Sequence, residues 1–243
     1  MIAVQKLTAN VPEKGRALTG TRVTAQARRR VPAYLKTVAS RIRSITNLPQ
    51  RGTEQAEPAR IVTFDGLADE GEHVAVLWGP VGERPLVRIH SECLTGDALA
   101  SARCDCGEQL AEAMAMFKDN GGILLYLRQE GRGIGLYNKI DAYALQDKGV
   151  DTIDANLELG LPVDARHYDV AVQMLNALGC SEIDLITNNP GKVSGLENGG
   201  IYVAHRIGTG VFHSSQNHRY LETKRSRMGH LIDFSEALGK VAP

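Results

Sequence analysis

Three of the four cysteines in this chain of 243 residues fall within fourteen positions: Cys93, Cys104 and Cys106, in the run Ser-Glu-Cys-Leu-Thr-Gly-Asp…Arg-Cys-Asp-Cys-Gly. Three thiolates this near in sequence can hold a Zn²⁺ and leave its fourth tetrahedral position open. Water at an open position has its pKa lowered from about 15.7 to roughly 7, so the pattern predicts a hydrolytic centre rather than a closed structural one. Cys180 stands far off, after a helix-like stretch. It could complete a closed four-thiolate site, but a structural role as a small buried residue is the expectation. Four cysteines in a chain this long, with no apolar signal segment, fit a reducing compartment and no disulfide framework.

The length is ample for a sizeable core, and 43% hydrophobic with 23% charged residues is ordinary for a globular protein. No apolar run approaches the ~20 residues of a membrane span. A net charge of zero hides an asymmetry. Residues 1–51 hold eleven Lys/Arg against one acid, Glu13, a net +10, so the remainder carries −10. This reads as a basic arm on an acidic body. Within the arm, Val31, Tyr34, Leu35, Val38, Ile42 and Ile45 recur at helical spacing after Pro32, which predicts an amphipathic basic helix over 31–46, packed on the body or on a partner subunit. Contact with nucleic acid or an anionic surface and a transit-peptide role are the competing readings. Pro49 to Pro58 reads as a linker.

From residue 60, runs of strand and helix character alternate. Strands are expected at 60–64, 73–78, 86–90, 123–127 and 183–187, and helices at 109–118, 136–148 and 168–178. Asn188-Asn189-Pro190-Gly191 reads as a turn. The alternation predicts an α/β body.

Gly131-Arg132-Gly133-Ile134-Gly135 joins a strand to a helix, and its glycines would let backbone N–H groups approach a phosphate or base. The spacing is not G-x-G-x-x-G, so a dinucleotide fold is not indicated. Asp164-Ala165-Arg166 follows Leu161-Pro162 in a short loop. Standing alone, these residues would be a surface ion pair. Beside a metal centre, an Asp can move protons and an Arg can grip a phosphate with two prongs.

The chain resembles GTP cyclohydrolase II, a riboflavin-biosynthesis family, in ordered runs. They are Val-Arg-Ile-His-Ser-Glu-Cys-Leu-Thr-Gly-Asp (87–97), Arg-Cys-Asp-Cys-Gly (103–107) and Leu-Tyr-Leu-Arg-Gln-Glu-Gly-Arg-Gly-Ile-Gly-Leu (125–136). Further matches are Asn-Lys-Ile (138–140), Ala-Tyr-Ala-Leu-Gln-Asp (142–147), Ala-Asn (155–156), Asp-x-Arg (164–166) and Thr-Asn-Asn-Pro (187–190). The resemblance covers roughly residues 60–232. It implies an α/β fold with a mixed sheet and flanking helices for a catalytic domain at 53–243; the basic helical extension at 1–52, read from charge and spacing, has no counterpart in the family. The implied enzyme is a cyclohydrolase acting on C–N bonds in cyclic amidines. It would convert GTP to 2,5-diamino-6-ribosylamino-4(3H)-pyrimidinone 5′-phosphate, formate and pyrophosphate.

By that resemblance Cys93, Cys104 and Cys106 would ligate Zn²⁺, and Mg²⁺ would accompany the polyphosphate. Arg88, Ile89, His90, Ser91, Glu92, Gln109, Glu130, Gly131, Arg132, Thr152, Thr187 and Lys192 would bind the nucleotide. Arg166 would attack the α-phosphorus with Asp164 as its proton-transfer partner, and Tyr143 would assist at the purine ring. Read from its chemistry alone, Arg166 is a phosphate clamp, because a guanidinium pKa lies above about 12. A cytoplasmic homodimer with no membrane or nucleic-acid partner is implied. The chain departs from the family pattern at Asp141, at Gly191 and across Ala204–Gly210, and two of these departures lower positive charge. If those positions face the triphosphate, polyphosphate affinity falls. The competing functions are a paralogue opening another nucleotide ring, and a zinc-bearing module that binds nucleic acid.

Overall fold

The computed structural model describes residues 21–22, 40–51 and 57–235. Eight strands form one mixed sheet: β1 (Thr21–Arg22), β2 (Arg41–Leu48), β3 (Ala59–Asp65), β4 (Val74–Trp78), β5 (Leu86–Ser91), β6 (Gly122–Leu127), β7 (Glu182–Ile186) and β8 (Tyr202–Ile207). Their spatial order is β1-β8-β7-β5-β6-β4-β3-β2. The four strands β8, β7, β5 and β6 run parallel, and antiparallel strands flank them on both sides. Val87, Ile89, Ile123, Leu125, Leu127, Ile183 and Leu185 are fully buried, as expected where helices cover both faces of a parallel sheet. The α/β class and mixed sheet implied above are those observed.

The helices are α1 (Leu94–Asp97), α2 (Cys106–Asn120), α3 (Leu136–Gln146), α4 (Thr152–Glu158), α5 (Asp169–Ala177), α6 (Pro190–Asn198) and α7 (His218–Met228). On one face of the sheet α5 and α6 bury Met174, Leu175, Val193 and Leu196 against Val87, Ile89 and Leu125. On the other, α2 seats Ala113 and Phe117 against Val76, Trp78 and Leu124, with the Trp78 and Phe117 rings stacked at 5.3 Å. Each expected strand or helix of the body lies within three residues of its observed bounds.

Two expectations are corrected. The helix expected over 31–46 is a strand from Arg41 onward, and residues 31–39 lie outside the described residues. The helical spacing of Ile42 and Ile45 comes from a β-bulge. Arg43 is the extra residue between Ile42↔Phe64 and Ser44↔Thr63, so Ile42 and Ile45, three apart, face the same core. β2 pairs along its length with β3. The turn expected at 188–191 is a helix start. The Asn189 side chain accepts from Gly191 N at 2.8 Å, and Pro190 opens α6 where its missing N–H costs nothing.

Candidate active site

The parallel strands deliver the chemistry at their carboxyl ends, where open α/β sheets present their crevice. Past Ser91, Cys93 caps α1; Cys104 precedes α2, and Cys106 is its first residue. The three Sγ atoms lie within 4.8 Å of one another, with Cys93 and Cys104 at 3.6 Å. Zn–S bonds of about 2.3 Å in a tetrahedron require sulfurs about 3.8 Å apart, so this donor set fits that ion. Asp97 holds the turn: it accepts from Cys93 N at 3.0 Å and from the Tyr126 hydroxyl at 2.8 Å, and pairs with His90 Nε2 at 3.0 Å. The Cys93 thiol, bonded by Cys104 and Cys106, is held far below its ordinary pKa, whereas the same contacts and burial push Cys106 well above. Three thiols this close cannot all ionise without a cation among them. Cys180 is apart from them, buried in the core, where burial raises its thiol to about 11. It is structural.

One wall of the cleft is built around Glu130. Its carboxylate accepts from Leu94 N at 2.6 Å, from Gly131 N at 2.8 Å and from Lys139 Nζ at 2.7 Å. Lys139 also donates to Cys93 Sγ at 3.2 Å, placing a cation beside the thiol cluster. Burial works against the Lys139 ammonium, but Glu130 and Cys93 outweigh it and raise its pKa. On the same helix, Tyr143 shares a hydrogen bond with Thr95 at 3.3 Å under the Arg103 guanidinium. Burial raises the Tyr143 phenol, so it is protonated at neutral pH and can donate.

A second wall joins two loops. Arg132 has φ of +61°, a left-handed backbone that a non-glycine residue rarely adopts. Its carbonyl accepts from Ala165 N at 3.0 Å, and Gly133 next to it lies so near that an added Cβ would stand 3.1 Å from the Ala165 carbonyl carbon. Arg132 is thus tied to the Asp164–Arg166 loop. There Arg166 donates through Nε to Asp164 at 2.9 Å and through Nη2 to its other oxygen. Burial opposes ionisation of Asp164, but Arg166 outweighs it and holds the carboxyl below its usual range.

These walls enclose an open cleft of about 1250 Å³, including its mouth. Among its carboxylates, Glu92 pairs with Arg128, Glu130 with Lys139 and Asp105 with Lys224. Cations exceed them. Lys192 is buried with the Ile89 carbonyl at 2.7 Å as its hydrogen-bond partner. Burial first, then Arg88, Arg166 and Lys224, push its pKa far below the ordinary value. Arg88 donates to the Ile186 carbonyl and to Gln109, yet its Nε has no hydrogen-bond partner among the described residues, and neither has Arg132 Nη2. Buried cations with unspent donors make an anion site.

Of the sequence-derived site residues, Tyr143, Arg166, Arg88, His90, Ser91, Glu92, Gln109, Glu130, Gly131, Arg132, Thr152, Thr187, Lys192 and the three cysteines line the cleft. Two differ. Ile89 is buried core; its side chain points into the sheet packing, as strand alternation between Arg88 and His90 requires, and its carbonyl holds Lys192. Asp164 stands behind Arg166 rather than on the wall. Lys139, Asp105 and Asn156 line the cleft without having been singled out, although each lies in a run that carried the resemblance. Tyr220, Lys224 and His230 had no such signal. Asp141 and Gly191 are solvent-exposed and outside the cleft wall. Ala204–Gly210 forms the end of β8 and a loop pinned by Asn188 to Thr209. The departures therefore do not line the anion site. No helix among the described residues is long and apolar enough to cross a membrane.

Residues 44–208 match a family model described as GTP cyclohydrolase II. The chain is 52% identical over 186 residues to a protein of Psychromonas ingrahamii named GTP cyclohydrolase-2, covering 75% of this chain and 93% of that one. It is 48% identical over 188 residues to a GTP cyclohydrolase-2 of Aliivibrio fischeri, covering 76% and 94%. It is 53% identical over 177 residues to the riboflavin biosynthesis protein RibBA of Salinispora tropica, covering 71% of this chain and 44% of that longer one.

Proposed function

Since the chain belongs to the GTP cyclohydrolase II family, we propose that it opens the imidazole ring of GTP, releases formate and pyrophosphate, and so feeds riboflavin biosynthesis. The observation that carries this is the meeting of a three-thiol cluster and an uncompensated cation cluster in one cleft. The first suits hydrolysis at a ring carbon, and the second suits a polyphosphate. Cys93, Cys104 and Cys106 would hold Zn²⁺, which when bound supplies the Lewis acidity that makes water nucleophilic near neutral pH. Mg²⁺ would accompany the phosphates.

This chain's own side chains then have distinct tasks. Tyr143, protonated and beside the thiol cluster, donates to the purine ring nitrogen as the C8–N9 bond breaks and water adds at C8. A second hydrolysis frees formate. Arg88, Arg132 and Lys192 hold the phosphates. Arg166 is a phosphate clamp in this reading, because Asp164 stabilises its protonated guanidinium and a guanidinium is no nucleophile. Asp164, behind the wall with both oxygens on Arg166, aims that guanidinium and keeps it charged. The departures at Asp141 and Gly191 lie away from the cleft, which favours GTP over a monophosphate.

Large apolar side chains left in solvent on neighbouring helices, Tyr137 at 85% and Ile140 at 45% exposed on α3 and Leu157 at 57% on α4, suit a second copy of the chain, so we read the protein as a homodimer. Three thiols that must stay reduced to hold a metal suit the cytoplasm. Mass spectrometry of products from GTP, GDP, GMP and pyrimidine nucleotides, with zinc-loaded protein, tests the reading. Formate and pyrophosphate from GTP are expected; formate from GMP with none from GTP would defeat it.

A further inference from the structure

The matched family region ends at residue 208, but the cleft does not. The chain continues through α7 and a left-handed turn at Gly229 to Ile232, and this segment is bolted to the site. Arg227 donates to Asp151 at 2.6 Å and Asp154 at 3.0 Å, where Asp151 caps α4 just before Thr152. Thr223 donates to Asp151 at 2.8 Å. Lys224 reaches across to Asp105, between two of the cysteines, at 2.8 Å. Leu231 N donates to the Asn188 carbonyl at 2.9 Å, which fixes the far end beside Thr187. A segment tied at both ends, and through the buried Lys224–Asp105 pair in its middle, is a built wall and not a loose tail.

We propose that His230, carried on this C-terminal segment, donates a hydrogen bond to the phosphate oxygens of the bound nucleotide. The imidazole lines the cleft, half-buried, and its ring nitrogens have no hydrogen-bond partner among the described residues. Four cations line the same cleft: Lys224 on its own segment, which pairs with Asp105; Arg166 and Arg132 from the two joined loops, of which Arg166 pairs with Asp164; and Lys192 from α6. Burial, then those four charges, push its pKa down to about 3, so the ring is neutral and one of its nitrogens carries a free N–H. Arg132 with an unspent Nη2 and Lys192 with only a carbonyl as partner, beside this unspent imidazole donor, describe the place of an anion. The Gly229 turn sets the ring there: His230 N donates to the Lys224 carbonyl at 3.1 Å, closing the helix end.

The inference rests on the nucleotide reading of the cleft, and its test separates the two. Binding of inorganic tripolyphosphate to the full zinc-loaded chain is measured by calorimetry for the wild type, His230→Ala and His230→Gln. Loss of one hydrogen bond to a charged group predicts about tenfold weaker binding in His230→Ala, and Gln, which keeps a donor, should recover most of it. With GTP, His230→Ala should raise KM about tenfold and leave kcat within about threefold. Unchanged tripolyphosphate affinity in His230→Ala, or no recovery in His230→Gln, overturns the proposal. If GTP yields no formate while tripolyphosphate binding still depends on His230, the activity reading fails and this inference stands.

Discussion

A Cβ placed on Gly96 would stand 2.8 Å from the Sγ of Cys104. It would also meet Cys93 Sγ at 3.2 Å and Cys106 Cβ at 3.1 Å, so the thiol cluster occupies the space a side chain would take. Gly96→Ala must therefore push sulfurs apart or shift α1. The expected outcome is zinc affinity lowered by about tenfold or more, as for outer-shell changes at metal sites. Competition with a chromogenic chelator measures it, and an affinity equal to wild type would show that the cluster is not the metal site.

Tyr143→Phe keeps the ring under Arg103 and loses only the hydroxyl. Binding should survive, since no phosphate contact is removed. Loss of a positioned proton donor should lower kcat by about a hundredfold, with KM nearly unchanged. Steady-state formate release decides it; an unaltered kcat removes Tyr143 from the chemistry.

Asp164→Asn should leave zinc content intact and lower turnover by about a hundredfold, because the amide carries no charge to aim and stabilise the Arg166 cation. Stability gives an independent check. The folded carboxyl has a lowered pKa, so its stabilising effect is present above the unfolded value near 3.9 and is lost as pH falls through the folded one. The mutant should melt below wild type at pH 7, and the gap should begin to close below about pH 4. A gap that stays constant down to pH 2.5 would contradict the pairing.

Removing residues 1–50 deletes β2, with Ile42 and Ile45 that pack on the core, and uncovers the edge of β3. Burial of two partly buried isoleucines is worth about 2 kcal/mol, so urea midpoints should fall and aggregation should rise. Equal midpoints for the truncated and full chains would show that the strand adds nothing.

What could be read from residue order alone was whatever is local. The Cys93, Cys104 and Cys106 cluster was legible because its members lie within fourteen positions. The body strands and helices were legible because side-chain period reports backbone geometry directly. The resemblance likewise carried thirteen further cleft residues into view.

Tertiary structure decided the rest, and in each case a long-range contact set the outcome. Ile42 and Ile45 show helical spacing, and only the Arg43 bulge against β3 turns that spacing into a strand face. Ile89 sits between two cleft residues, but the pleat sends its side chain to the core. Lys224 meets Asp105 across 119 positions, and His230 shares its cleft with Arg132, Arg166 and Lys192 from three other elements. No period or spacing encodes such meetings. They exist because sheet order and helix packing bring distant side chains to one cleft, where burial and charge give each its task.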